Sequence, residues 1–339
     1  MTAKEAKRPG SLREAARETI LLTCESGHVP VIERVSFGGK WVLVELDDGR
    51  AGRAFSFGGE HAVYGQVDFE HVRGMRVLAG MAVDAAIGKL LDEADALDAA
   101  FACAGEATDV SENADGYASR ARSHAAAAGF NRSVALAAAN ALSCNVNAAC
   151  ELRERGFELS EERDYSFLRP DDAVVLIGAG MLMREARETC ASVDVIDMRA
   201  PSVLYSASFD AEGERLGPAN VRFHGPEDTR DLVGRADVVG VTGCALANES
   251  LFEVADMIGG AREFVVFGPS AQLPMELFAR LGVTRVATSR VTDAPALVEG
   301  MLTGFESSGP RDASEGYVVS LPREGVACAP RRGEAPLRE

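Results

Sequence analysis

Three stretches of the sequence share one pattern, and this pattern constrains the fold more than any other feature. Each is a short apolar run that continues into a glycine-containing turn and then into a helix start. The three stretches are residues 173–180, 236–248 and 264–270. Runs of this length and composition are typical of parallel strands buried on both faces. In an open α/β sheet, ligands bind at the loops that follow the carboxyl ends of such strands.

Three more strands are predicted at residues 193–197, 221–224 and 284–287, with helical segments between most of the six. Strands that alternate with helices of about 10–15 residues form βαβ units. The sequence therefore predicts an α/β fold, in which the C-terminal half is a parallel sheet with Rossmann-like winding.

The N-terminal part has a different pattern. Ser11-Leu12-Arg13-Glu14 is a capping box that opens a helix ending near residues 24–27. Residues 31–57 then form β-rich runs separated by Gly38-Gly39 and Asp48-Gly49, which are hairpin-type turns. A small antiparallel meander beside a helix is expected, as a separate α+β lobe.

Domain boundaries follow from the change of pattern. The first lobe, with a helical extension, is predicted over residues 11–150, and residues 108–117 within it as an exposed loop. Its last helix, residues 125–149, is apolar on all sides and is expected to lie buried between the lobes. The charge-dense residues 151–170 are predicted as a linker, residues 171–304 as the sheet domain and residues 305–339 as a tail with one edge strand (316–321) and a disordered end.

Charge and cysteine content limit the partners and the compartment. The net charge of −17 opposes binding to a phosphate backbone, so a nucleic-acid partner is not expected. No stretch approaches 18 consecutive apolar residues, and no apolar segment follows the basic N-terminus, so neither a membrane span nor a signal peptide is predicted. Seven cysteines in apolar contexts fit reduced thiols. We expect a cytoplasmic protein.

The turn Gly178-Ala179-Gly180 is a partial dinucleotide-binding fingerprint. Gly178 and Gly180 suit the close approach of a phosphate to a helix N-terminus, and Asp197 follows where an acid could accept hydrogen bonds from a ribose. Met183 occupies the third glycine position, which disfavours an NAD-dependent dehydrogenase. A nucleotide-like or adenosyl ligand is one interpretation. The alternative is a turn glycine pair with a surface aspartate.

The other two strand ends offer small polar groups. Thr242, Gly243 and Asn248 follow one strand, and Gly268 and Ser270 follow the next. Their backbone N–H groups and short side chains predict a cradle for an anionic or polar ligand, although Asn248 and Ser270 could be helix N-caps only.

The buried helix is expected to contribute further groups. Arg132 and Asn140 are predicted to face the cleft from it, Arg132 as a partner for a carboxylate or phosphate.

A protein-built metal site is not predicted. The histidines and cysteines show no CxxC or HExxH spacing, and Cys24 with His28 is the nearest approach. A metal is therefore expected only as part of a ligand complex.

Several stretches together resemble the putative heavy-metal chelation family. They are Arg76-Val77-Leu78-Ala79-Gly80, residues 133–141, residues 242–248 with Ser250, and Gly268-Pro269-Ser270. The resemblance implies an enolase N-terminal-like α+β lobe followed by a Rossmann-like domain similar to that of methyltransferases, with a ligand site between them.

The resemblance also implies roles in metal chelation, or in condensation or hydrolysis during the synthesis of pterin-, flavin- or siderophore-like molecules. The chain departs from the family at Glu249-Ser250, where many members have Gly-Thr. Its helical stretch 81–128 is also longer than usual, which suggests a lid or an oligomer surface.

These observations predict a small-molecule site at the lobe interface, in a protein that binds or processes a metal-chelating metabolite. Two alternatives stay open: a non-catalytic sensor of a metabolite or metal chelate, and a methyltransferase-like enzyme that binds an adenosyl ligand. Assembly into a homo-oligomer is a further expectation.

Overall fold

The structure is a computed structural model. It describes residues 7–24, 28–57, 67–106, 114–162, 164–199, 204–211, 213–303 and 313–322, without the side chains of residues 101, 103–106 and 114–123. Most of the predicted loop 108–117 and most of the predicted tail lie outside these residues.

The first lobe begins as its sequence predicts. Helix α1 (Leu12–Thr23) starts at Ser11, whose hydroxyl accepts a hydrogen bond from the Glu14 amide. Strands β1 (Ile32–Phe37), β2 (Trp41–Leu46) and β3 (Ala51–Phe55) then form an antiparallel meander. The predicted meander is confirmed.

Helices cover one side of this meander. They are α2 (Phe69–Gly74), a 3₁₀ turn (Met75–Leu78), α3 (Val83–Glu106) and α4 (Ala114–Leu142). The backbones of α4 and β3 are in direct contact at Gly52. A Cβ added to Gly52 would lie only 2.1 Å from the Ala141 nitrogen. The alanine-rich sequence of α4 permits this contact, since small side chains allow another backbone to approach the helix closely.

The second lobe is an eight-stranded sheet in the order β4-β13-β12-β11-β10-β5-β6-β9. The six strands from β12 to β9 run parallel, and β13 and β4 run antiparallel at one edge. These strands are β4 (Glu158–Ser160), β5 (Ala173–Ile177), β6 (Ser192–Ile196), β9 (Val221–His224), β10 (Val238–Thr242), β11 (Glu263–Phe267), β12 (Arg285–Val291) and β13 (Ser314–Ser320).

Short helices connect the strands: α5 (Ala149–Glu154), α6 (Met181–Thr189), α7 (Thr229–Val233), α8 (Ser250–Met257), α9 (Met275–Arg280) and α10 (Ala294–Thr303). An exposed hairpin of β7 (Ser206–Asp210) and β8 (Gly213–Gly217) precedes β9; no sequence pattern predicted it. The predicted α/β fold is confirmed.

Residues 151–170 differ from the predicted linker. The end of α5 and all of β4 lie in this segment, and β4 pairs with β13 in the large sheet. A three-residue edge strand with charged neighbours has no periodicity that separates it from a loop, so only its pairing identifies it.

Hydrophobic packing joins the lobes. One continuous core contains Val42 and Val44 of the meander, Leu136 of α4 and Val239 and Val266 of the large sheet. The opposite face of the large sheet packs mainly on α6, and the opposite face of the meander packs on α10. Within the described ranges, none of the helices combines the length and the hydrophobicity that a membrane span requires.

Candidate functional site

The carboxyl ends of three parallel strands meet at one edge of the large sheet. Strand β10 lies between β11 and β5, with Thr242 opposite Phe267 and Val241 opposite Ile177. The loops after these strands are therefore neighbours, as the repeated strand–glycine pattern predicts. This is the edge at which open α/β sheets bind ligands.

The three loops contact one another closely. Gly178 has a φ of +87°, and a Cβ there would lie 2.6 Å from the Thr242 methyl group. A Cβ at Gly243 would lie 2.7 Å from the Ala271 nitrogen. Glycine at these two positions is what lets the loop after β10 lie against both of its neighbours.

The predicted ribose acceptor, Asp197, is already engaged. Its carboxylate accepts hydrogen bonds from the Ala179 amide at 2.9 Å and from the Arg199 guanidinium at 2.7 and 2.9 Å. Burial alone would raise the pKa of Asp197, but these bonds lower it below its usual value. The acid holds the turn of Gly178 and Gly180 in place, and an adenosyl ligand would have to compete with Arg199 for it.

The predicted helix caps are placed differently. Helix α8 has Glu249 at its N-cap position, with a φ of 65°, and the Asn248 carbonyl oxygen Oδ1 accepts from the Ser250 amide and hydroxyl. Asn248 thus stabilises the start of α8 from the position that precedes the N-cap residue. Ser270 caps no helix, because α9 begins at Met275 with Pro274 before it.

Ser270 and Asn140 instead form a seam between the lobes. The Ser270 hydroxyl accepts from the Phe55 amide at 2.9 Å. The Asn140 side-chain nitrogen donates to the main-chain oxygens of Ser270 and Arg53, each at 2.9 Å. Asn140 is fully buried and Ser270 nearly so. Both residues therefore fix the first lobe against the loop after β11.

Arg132 lies elsewhere. Its guanidinium pairs with Asp98 and, at 3.6 Å, with Asp95, both on α3. It also precedes Asn140 by eight residues, or about 12 Å along the helix. The predicted role of Arg132 at the cleft does not agree with this placement: it ties α4 to α3.

Lys40 and Arg199, two cations that the sequence analysis did not single out, lie near the loop after β10. Burial raises the pKa of the Cys244 thiol, and hydrogen bonds with Thr242 and Ser270 and the charge of Lys40 oppose this rise. Arg199 is also close enough to interact electrostatically with Cys244. Lys40 lies at the β1–β2 turn of the first lobe and Arg199 after β6 of the second.

The sequence does place Lys40 at a predicted turn, since it directly follows Gly38-Gly39. Its proximity to Cys244, more than 200 positions later, depends on how the lobes pack. In the part of the chain that the structure describes, no carboxylate forms an ion pair with Lys40, and its ammonium lies 5.3 Å from the Trp41 ring centre. The cation is therefore available to an anionic ligand.

Metal-binding side chains are not gathered here. Among the described residues, no group of three or more His, Cys, Asp or Glu could hold a metal ion.

The fold defines a two-lobe α/β protein in which the first lobe packs against the loops at the carboxyl edge of a largely parallel sheet. A family model described as putative heavy-metal chelation matches residues 164–312, and a second with the same description matches residues 25–105. The chain belongs to the putative heavy-metal chelation family.

Two crystal structures of proteins with unknown function from the DUF364 family are similar to this chain. The protein from Desulfitobacterium hafniense DCB-2 is 13% identical with a TM-score of 0.58, over 91% of this chain and 98% of its own. The protein from Pyrococcus horikoshii is 18% identical with a TM-score of 0.57, over 91% and 99%. At these identities the likeness shows the fold alone. No protein of curated function matches the chain.

Proposed function

We propose that the protein binds a small anionic, metal-chelating metabolite in the cleft between the lobes. The strand-end loops after β5, β10 and β11 form one side, and the β1–β2 turn forms the other. The observation that carries the proposal is the position of the β1–β2 turn at the strand-end loops: the Lys40 main-chain oxygen accepts from the Ser56 amide at 2.8 Å, and the adjacent Phe55 amide donates to the Ser270 hydroxyl at 2.9 Å. The charges of Lys40 and Arg199, one from each lobe, both act on Cys244 in the loop after β10.

The charge balance supports an anionic ligand. The chain has a net charge of −17. Two cations near one another therefore form a local positive site on a molecule that is otherwise negatively charged, and such a site attracts anions. Arg199 is partly neutralised by Asp197. Lys40 is then the principal positive charge that a ligand meets.

Small polar groups at the loops would orient the ligand. Thr242 and Asn248 are partly exposed, whereas Gly243 is buried against Ala271. We assign Thr242 and Asn248 to the polar part of the metabolite. The metal, held by the metabolite's own donor atoms, would complete its shell with few or no protein ligands.

A matched set of probes tests this function. Isothermal titration calorimetry would compare 2,3-dihydroxybenzoate, its nickel complex and nickel ion alone, because the benzoate is both anionic and metal-chelating. We expect binding of the benzoate or its complex but not of nickel alone. Loss of a hydrogen bond or ion pair to a charged ligand weakens binding by about ten- to a hundred-fold.

Lys40→Ala and Asn248→Ala should each show at least the lower of these losses. Lys7→Ala removes the same charge from an exposed N-terminal position and is the control. Unchanged affinity in Lys40→Ala, or binding of nickel alone with equal strength, would contradict the proposal.

A further inference from the structure

A surface pocket lies within the first lobe, away from the strand-end loops. Its volume is about 470 Å³, within the range of about 300–1,000 Å³ usual for small-molecule sites. Helix α2, the 3₁₀ turn and helices α3 and α4 line this pocket, which is open to solvent on one side. The lining residues are Glu70, His71, Gly74, Met75, Val77, Leu78, Lys89, Leu90, Glu93, Ala96, Leu97 and Asn131.

Asn131 is the one fully buried polar residue among those lining this pocket. The residue is fully buried, and its Oδ1 atom lies 2.8 Å from His71 Nε2. Its nitrogen, Nδ2, is also buried and has no hydrogen-bond partner among the described residues. A buried donor without a partner is costly, so its presence in a cavity wall calls for an acceptor.

His71 is held in place at the same wall. Its ring packs edge-on against Phe130, with the ring centres 6.1 Å apart. Asn131 and His71 are therefore two fixed polar groups in the lining of a pocket whose apolar residues include Met75, Leu78 and Leu90.

Charges at the cavity rim are largely paired. Lys89 forms an ion pair with Glu93, and Glu70 forms one with Arg73 at 2.7 Å. The rim thus presents little net charge, which favours a neutral ligand over an ion. An apolar wall with one amide donor is typical of a site for a molecule that is mostly hydrocarbon and carries a carbonyl group.

We propose that this cavity is a second small-molecule site, which takes an aromatic or aliphatic molecule carrying a neutral carbonyl acceptor, with Asn131 and His71 as its polar contacts. The site is separate from the one proposed above, because its lining includes none of the residues of the strand-end loops or of the β1–β2 turn.

Three probes with the same skeleton distinguish which functional group the site prefers, a neutral amide, a carboxylate or an amine. They are 2-phenylacetamide, phenylacetate and 2-phenylethylamine. Ligand-detected NMR titration of the full chain would measure each dissociation constant. For probes of this size, we expect 2-phenylacetamide to bind in the millimolar range or tighter, and 2-phenylethylamine about tenfold more weakly.

Two variants locate the binding. A Cβ at Gly74 would meet no atom within 4 Å, so Gly74→Trp introduces a large side chain at a pocket-lining position without a clash at its Cβ. Gly88→Trp is the matched control, since Gly88 also has open space around it but does not line the cavity. We expect Gly74→Trp to abolish 2-phenylacetamide binding and Gly88→Trp to retain it.

Asn131→Asp tests the polar contact while keeping the shape of the side chain. An acceptor in place of the donor should reverse the preference toward 2-phenylethylamine, and thermal melting would verify that the variant is folded. Equal affinity for all three probes, no saturable binding by any of them, or unchanged binding in Gly74→Trp would overturn the proposal. Lys40→Ala should leave these affinities unchanged, so this test and that of the interlobe cleft can fail separately.

Discussion

The Asn140 side-chain nitrogen donates to the Ser270 main-chain oxygen at 2.9 Å and so joins the last turns of α4 to the loop after β11. The same nitrogen reaches the Arg53 oxygen on β3. Three segments from two lobes therefore meet at one buried amide. Asn147 repeats the arrangement nearby, with bonds to the Gln272 and Leu273 oxygens at 2.7 and 3.1 Å. Two buried side-chain amides therefore hold the lobes together through main-chain oxygens.

Asn140→Ala should destabilise the protein by about 2–3 kcal/mol, because it leaves two buried carbonyl groups without this donor. Urea denaturation monitored by circular dichroism would measure the loss. Asn145→Ala, on an exposed turn just beyond α4, should change stability by no more than about 0.5 kcal/mol. Equal effects in the two variants would contradict the structural role of Asn140.

Gly52→Ala should lower the stability of the protein by more than the addition of one methyl group usually does. The new methyl group would lie 2.1 Å from the Ala141 nitrogen and 2.3 Å from the Ala137 oxygen, both main-chain atoms that cannot move alone. We expect a loss of about 3 kcal/mol or more, or failure to fold. Gly39→Ala, where a Cβ meets nothing within 4 Å, should fold normally. Comparing soluble yield and melting temperature of the two variants decides the point.

Asp197 should make stability depend on pH at the acid end. Because its pKa is lowered in the folded state, its contribution is present above its usual pKa of 3.8 and is lost as the pH falls through the lower folded value. Asp197→Asn should therefore cost about 1–2 kcal/mol at pH 7, and the difference from the wild type should shrink below about pH 4.

Urea denaturation between these pH values measures the Asp197 effect, with the exposed Glu214→Gln as the control. A difference between Asp197→Asn and the wild type that stays constant with pH would show that the Asp197–Arg199 pair is not what stabilises the turn.

Removal of metal should leave the fold intact. The described residues include no cluster of three metal-binding side chains, and structural metal sites are those whose loss unfolds a protein. We expect the melting temperature to stay within about 2 °C after dialysis against EDTA, as measured by calorimetry. A fall well beyond that would reveal a metal site that contributes to folding.

Much of the fold could be predicted from local pattern. The apolar runs before Gly178, Thr242 and Gly268 identified β5, β10 and β11, and the capping box at Ser11 identified the start of α1. These features are local, because burial of a strand and capping of a helix are set by residues a few positions apart. The short edge strand β4 and the exposed hairpin β7–β8 carry no such pattern and were missed.

The sequence by itself determined which loops would line the sheet edge, since the carboxyl ends of neighbouring parallel strands must lie together. Only the tertiary structure decided what each polar side chain does there. Asn140 and Ser270 proved to join the lobes, Asp197 to hold Arg199, and Arg132 to pair with α3.

Only the tertiary structure also placed the Lys40 turn beside the loops of the second lobe, where its charge acts on Cys244. A side chain's hydrogen-bond partner depends on contacts between residues far apart in the chain, and those contacts exist only once the lobes have packed.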